Sequence, residues 1–252
     1  MKTLRFLLIG GTLLGGSLTA WALQGADPGS FAKANSAYRE GKFDEAASLY
    51  QTLAEKDPSQ PAFYFNLGNA LHRKGEHGTA ILAYERARRL APRNGDIRAN
   101  LNYARSLLEY HMEDKRLGLI QMADTLLGFF RMQELGLFAL IAVFLTLSSW
   151  VFVLFFRADT DWGAVRKTLL IVACVALATS GFKGVQEKFF REAIVTVKET
   201  QVYYGPSVTD QPAFRLGDGL KVYVLDSREG WDRILIPSGE SGWIQNDQIS
   251  KI

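Results

Sequence analysis

The sequence predicts a multidomain α plus β membrane protein, in which an α-solenoid, two transmembrane helices and a small β-barrel succeed one another along the chain. Three observations carry that prediction. A 34-residue period starts at Phe31, two uncharged apolar runs come after it, and beyond Ala193 short β-branched and aromatic segments alternate with Gly, Pro, Asp and Ser. The 252 residues would suit one or two ordinary domains, but the apolar content is concentrated in blocks, which suggests modules separated by membrane segments.

Charge and cysteine usage exclude several classes. Lys and Arg number 29 against 26 Asp and Glu, and two of the basic residues, Lys2 and Arg5, fall in a leader-like segment. No basic field for nucleic acid remains. Cys174, the only cysteine, lies inside an apolar run, so neither an intramolecular disulfide framework nor a cysteine-rich metal site is expected. At the N-terminus, Lys2 and Arg5 precede an apolar stretch from Phe6 to Leu18, and Ala20-Trp21-Ala22 offers a small-x-small cleavage pattern. Residues 1–22 read as a secretory signal peptide, which exports the helical repeats behind it.

The repeat is carried by Phe31/Phe65, Asn35/Asn69, Arg39/Arg73, Gly41/Gly75, Ala46/Ala80, Tyr50/Tyr84 and Pro58/Pro92. Each unit reads as a helix, a glycine turn, a second helix with a small residue at the helix crossing, and a proline stop. This is the tetratricopeptide (TPR) signature. Residues 27–111 are expected to hold two repeats and a capping helix from about Asp96 to Tyr110, which keeps Asn100-Leu101 and Ala104 but loses the turn glycine.

The resemblance to TPR arrays implies a concave surface, lined by the first helix of each repeat, that binds segments of partner proteins. Phe31, Asn35, Arg39, Phe65, Asn69 and Arg73 recur four residues apart on one helix face and are the candidate partner-binding residues. A second reading makes them framework and solvated positions. The lysines of carboxylate-clamp TPR domains are missing, since Phe31 and Ala99 stand at those places.

Leu135 to Phe156 holds no charge over 22 residues and would be about 33 Å long as a helix, enough to cross a bilayer core. Thr168 to Phe182 is also uncharged but shorter, and Lys167 and Lys183 would snorkel; we place the second span at 168–185. Residues 157–167 then form a short cytoplasmic loop. Residues 117–130 mix Leu117, Leu119, Ile120, Leu126, Leu127, Phe129 and Phe130 with Gln121, Asp124 and Thr125, the pattern of an interfacial helix.

Residues 193–252 read as strands at Ile194–Val197, Leu220–Leu225, Trp231–Ile236 and Gly242–Ile244. Val202-Tyr203-Tyr204-Gly205-Pro206-Ser207, Leu216-Gly217-Asp218-Gly219, Gly230-Trp231 and Ser241-Gly242-Trp243-Ile244 resemble bacterial SH3 domains in order and spacing. Members of that family bind peptidoglycan or protein segments in aromatic grooves, which makes Tyr203, Tyr204, Tyr223, Trp231 and Trp243 the candidate groove residues. Alternating strand aromatics also serve as core.

Taken in this order, leader, TPR repeats, two spans and SH3-like end resemble the BatE family of aerotolerance-operon (Bat) proteins. The resemblance implies a bacterial inner-membrane protein with both soluble parts on the periplasmic side, scaffolding von Willebrand A-domain membrane partners. The alternative is a peptidoglycan-binding anchor that positions a cell-wall enzyme. No catalytic constellation, metal site or cofactor motif is found: His72, His77 and His111 form no ligand triplet and read as solvated, as do Asp159 and Asp161.

Overall fold

The computed structural model describes residues 28–110, 115, 118–156, 163–189 and 191–252. The leader, His111, Asp159, Asp161 and the first part of the predicted cytoplasmic loop lie outside the described residues.

Five helices open the fold: α1 (Pro28–Arg39), α2 (Phe43–Lys56), α3 (Pro61–Arg73), α4 (His77–Leu90) and α5 (Gly95–Ser106). The two repeat hairpins turn in the same way. Gly41 and Gly75 adopt φ of 77° and 84°, and the amides of Lys42 and Glu76 reach back to the Ala37 and Leu71 carbonyls at 2.9 and 3.0 Å. This is a Schellman close, in which the left-handed residue is most cheaply a glycine. Pro61 opens α3, and Asn94 caps α5 by accepting from Asp96 N at 2.9 Å and Ile97 N at 3.2 Å.

Small residues let the helices approach closely. Ala34, Ala37, Ala46 and Ala70 are buried around Tyr50, Leu53, Phe63 and Leu67. A Cβ on Gly68 would stand 2.6 Å from the Tyr84 ring, so this position admits no side chain without parting α3 from α4.

After α6 (Gly118–Gly128), the chain forms a long hairpin of α7 (Met132–Phe156) and α8 (Gly163–Phe189). Met132–Phe152 and Gly163–Val185 are long and apolar enough to cross a membrane. The second apolar helix begins before Arg166 and Lys167, earlier than the uncharged run alone suggests, because the helix continues through both cations. The contact is made by a narrow seam, Leu135, Ala139, Ala142 and Thr146, facing Ala173, with Thr146 Oγ1 donating to the Leu169 carbonyl at 3.2 Å. That spacing of small residues is how helices pack where no hydrophobic effect drives them together. Phe138, Leu140, Phe144, Leu147, Ile171 and Val175 point outward, each more than half exposed. Such a surface suits lipid.

The C-terminal part is a seven-stranded antiparallel sheet in the order β3-β2-β6-β5-β4-β1-β7. Its strands are β1 (Arg191–Val195), β2 (Glu199–Tyr203), β3 (Pro212–Gly217), β4 (Lys221–Arg228), β5 (Trp231–Leu235), β6 (Ser241–Gln245) and β7 (Ile249–Lys251). Alternate residues from every strand, among them Val195, Val202, Leu216, Val222, Ile234, Ile244 and Ile249, meet in one buried cluster. The sequence pattern did not mark β2, β3 and β7: β2 (Glu-Thr-Gln-Val-Tyr) and β7 (Ile-Ser-Lys) carry no apolar run, and β3 opens on Pro212 and is interrupted by Arg215.

Modules that lie on either side of the apolar hairpin in sequence touch in space. Helix α4 is buried on nearly every side, because one face packs on the repeats and the other on the sheet. Ile81 and Leu108 share a cluster with Ile194 of β1, and Gly78 N donates to Asp218 Oδ2 at 3.2 Å. Arg86 and Arg89 donate to the carbonyls of Lys251 and Ile252 at 2.8 and 2.6 Å.

Candidate functional site

The first helices of the repeats, α1 and α3, continue into α5, and between them opens a cavity of about 200 Å³. Tyr38 of α1, Asn69, His72 and Arg73 of α3, and Asn100 and Tyr103 of α5 line it, with Tyr84 of α4 behind them. Its wall is aromatic, amide and cationic, without a carboxylate. Such a wall suits an extended chain, which offers backbone acceptors and donors to amides and an acidic or aromatic side chain to Arg and Tyr.

The polar groups are already ordered by the fold. Tyr84 Oη donates to Asn69 Oδ1 at 2.8 Å, Asn100 Nδ2 donates to the same oxygen at 3.0 Å, and Tyr50 Oη donates to Asn35 Oδ1 at 2.6 Å. Burial pushes the Tyr50 hydroxyl up to about 12 and raises that of Tyr84 further. Both remain neutral donors. The repeated asparagine is thus a rung from the first helix of each repeat to the tyrosine of the second.

Of the six residues singled out in the helical repeats, Asn69 and Arg73 line the cavity. Phe31 packs on Tyr50 and Phe63 with ring centroids 6.1 and 5.5 Å apart, and Phe65 packs on Tyr84 at 6.0 Å. Asn35 serves the Tyr50 rung, Arg39 is exposed, and the Arg73 guanidinium sits 4.7 Å from the Phe43 ring centroid. Sequence reasoning missed Tyr38, His72, Asn100 and Tyr103. The same period could have found them, since Tyr38/His72, Asn69/Tyr103 and Asn66/Asn100 are also 34 apart.

The histidines differ from the solvated reading. His72 and His77 are packed together, their rings 5.2 Å apart, and His72 lies edge-on to Tyr103 at 5.5 Å. Both Nδ1 atoms are buried and, among the described residues, have no hydrogen-bond partner. Burial, then His77 and Arg73, hold His72 below the usual histidine range, so it faces the cavity as a neutral ring. The reason is the helix crossing: the Gly75 turn folds His77 back onto α3.

On the sheet, Tyr203 meets Trp231 edge to face at 5.7 Å and pairs in register with Trp243, over which the Arg228 guanidinium lies at 5.4 Å. Tyr204 beside them is 66% exposed. Tyr223 is apart from this group: it is buried toward the other end of β4, in register with Leu235 and Glu192. The structure therefore brings together Tyr203, Trp231 and Trp243, with Tyr204 next in the chain and exposed, and sets Tyr223 elsewhere on the sheet.

Between the two modules lies a buried ionic cluster. Glu85 is fully buried, accepts from Arg88 Nε at 2.8 Å and from Arg105, and Lys221 pairs with Glu192 beside it. Burial alone would raise the Glu85 carboxyl, but Lys221, Arg88 and Arg105 outweigh it and bring it down to about 2. Among the described residues, no three His, Cys, Asp or Glu side chains converge as metal ligands would.

These features define a helical-repeat protein-interaction module joined to a pair of long apolar helices and an antiparallel sheet. Residues 31–95 match the family model of the tetratricopeptide repeat, which takes in both helical hairpins and stops at the start of α5. No curated protein matches the chain. TPR repeats imply protein partners.

Proposed function

We propose that this chain is a non-enzymatic, membrane-anchored adapter of the bacterial envelope that binds protein partners through the concave TPR face. The observation that carries the reading is the cavity shared by α1, α3 and α5, whose amides are held in place by buried tyrosines before any partner arrives. Preorganised polar groups lose little entropy on binding. The apolar hairpin fits an anchor, and the sheet, with its single shared core and SH3-like motif order, fits a small barrel fixed to the repeats. The order of these parts is that of the BatE family, and we assign the partners to membrane proteins with von Willebrand A domains in a Bat-type periplasmic complex.

Affinity purification from detergent-solubilised membranes tests the proposal. Arg73→Ala with Tyr103→Ala, both on exposed side chains, should reduce recovery of co-purifying membrane proteins at least about tenfold while helicity is unchanged. Equal recovery would remove the concave face from the reading. The exposed Tyr204 beside the Tyr203–Trp231 pair supports a second reading, in which the sheet binds peptidoglycan and the repeats recruit a cell-wall enzyme. Sedimentation of the full chain with murein, lost in Tyr204→Ala with Trp231→Ala, would favour it.

A further inference from the structure

The elbow between α6 and α7 carries chemistry that neither partner binding nor anchoring by the hairpin uses. Met122, Leu126 and Phe129 recur at helical spacing on α6 and its end, and they are 56%, 58% and 39% exposed. They lead directly into Arg131 and Met132, where the first apolar helix begins.

Cations from a different module stand against the same elbow. Arg98 of α5 lies with its guanidinium 5.3 Å from the Phe129 ring centroid, and Arg93 lies 5.5 Å from that of Phe130. Arg93 is neutralised by Glu134, which takes it in two bonds of 2.6 and 3.2 Å. Arg98 and Arg131 are exposed, and among the described residues neither guanidinium lies within ion-pair distance of a carboxylate, while the Glu134 carboxylate accepts from the Arg131 backbone N–H at 3.0 Å. On the inner side, Lys183 of α8 donates to the carbonyls of Leu127 and Phe130, tying the elbow to the second apolar helix. The elbow is thereby braced by α5, α7 and α8, with its apolar stripe and two guanidinia outward.

We infer that the α6–α7 elbow docks on a leaflet of anionic phospholipid, with Met122, Leu126 and Phe129 entering between headgroups and Arg98 and Arg131 paired to lipid phosphates. Charge complementarity selects this occupant, since an apolar stripe flanked by two exposed guanidinia outside the Arg93–Glu134 pair matches the layered chemistry of acyl chain and anionic headgroup. Because Arg98 belongs to α5, this contact would also fix the height of the concave face above the membrane. The inference rests on the membrane-anchored reading.

The test uses the full chain with Cys174→Ala, an environment-sensitive fluorophore on Thr125→Cys, and reconstitution into two kinds of vesicle. One is phosphatidylcholine alone, the other an equimolar mixture with phosphatidylglycerol. The emission should shift to the blue in the anionic vesicles and return on adding salt, and Arg98→Gln with Arg131→Gln should remove most of that shift. The Arg98→Lys, Arg131→Lys chain should keep it, which separates loss of charge from loss of fold. The same emission in both vesicles, or a shift that survives the Gln substitutions, overturns the inference. A shift produced by inorganic phosphate over neutral vesicles overturns it as well, because the site would then take the free ion. Alkaline extraction distinguishes the underlying failure: a chain released from native membranes lacks the anchor itself, whereas a retained chain without the lipid dependence lacks only the docked elbow.

Discussion

Tyr84 donates its hydroxyl to Asn69 Oδ1 across the two helices of the second repeat, as Tyr50 does to Asn35 in the first, and in both cases the partners are 15 residues apart. Tyr84 is 2% exposed, so removing the asparagine takes from its buried hydroxyl the acceptor that the fold provides. Asn69→Ala should cost about 1–3 kcal/mol, the penalty of a stranded buried hydroxyl, and Tyr84→Phe about 1 kcal/mol. The double substitution should cost less than the two together, because the stranded group is gone. Urea melts of the four chains check this, and strictly additive losses would show that the rung contributes nothing. Arg73→Ala, on an exposed side chain, should change the midpoint little.

Gly78 is where α4 meets the sheet. A Cβ there would stand 2.8 Å from Asp218 Cβ and 2.9 Å from the Gly219 amide nitrogen, and the backbone atom cannot swing aside. Alanine in place of glycine within a helix ordinarily stabilises by up to about 1 kcal/mol. At Gly78 the sign should reverse, with a net loss of about 1–3 kcal/mol from overpacking. Gly95→Ala, which meets nothing within 4 Å, is the control and should not destabilise. Limited proteolysis should cut Gly78→Ala faster than either the parent or the control between the repeats and the sheet.

Glu85 links that interface to acid. Its folded pKa of about 2 lies below the ordinary value of 4.5, so the stability it contributes is complete above about 4.5 and drains away as pH falls toward 2. Glu85→Gln takes the paired anion from Arg88 and Arg105, while Lys221 keeps Glu192, and should cost about 3–5 kcal/mol near neutral pH, as the loss of one member of a buried pair does. The variant's stability should also fall less steeply below pH of about 4. Parallel denaturant melts at neutral and acid pH measure both effects. A variant that tracks the parent through the whole acid range would show that Glu85 is not the linked group.

The helical repeats were legible because their requirements are local: a glycine at positive φ, small residues at crossings, and aromatics at a fixed period. The apolar hairpin was legible for the same reason, through length and absence of charge. The docking of α4 on the sheet was not read, yet it left a trace. Ala47 and Ser48 of the first repeat become Ile81 and Leu82 in the second, and Asp44 becomes Gly78. A repeat that loses polarity on its outer face relative to its neighbour is covered there, and a comparison for difference rather than for likeness would have found it. Strands β2 and β7 escaped because they are made by hydrogen bonds to neighbours far along the chain, which no local pattern records. Within the site, amides at the right period announced a groove, but the tyrosine that holds each amide lies on the next helix.

The contact between repeats and sheet constrains topology without reference to charge or leader. Gly78 bonds Asp218, and Ile81 packs in one cluster with Ile194, so both modules occupy the same side of any membrane that α7 and α8 cross. Within the hairpin, the start of α7 meets the end of α8, where Met132 Cε stands 3.2 Å from the Cβ position of Gly184, and Thr146 meets Leu169 further along. The helices are therefore antiparallel and return the chain to where it started. An even number of crossings is required, and two helices between the modules are long and apolar enough to cross. A reporter that works only outside the cytoplasm should accordingly be active when fused after Tyr110 and equally after Ile252, and silent when inserted within 159–164. Opposite signals from the two outer fusions would contradict the interface between α4 and the sheet. A common signal at all three sites would instead mean that the hairpin lies on one side and crosses nothing.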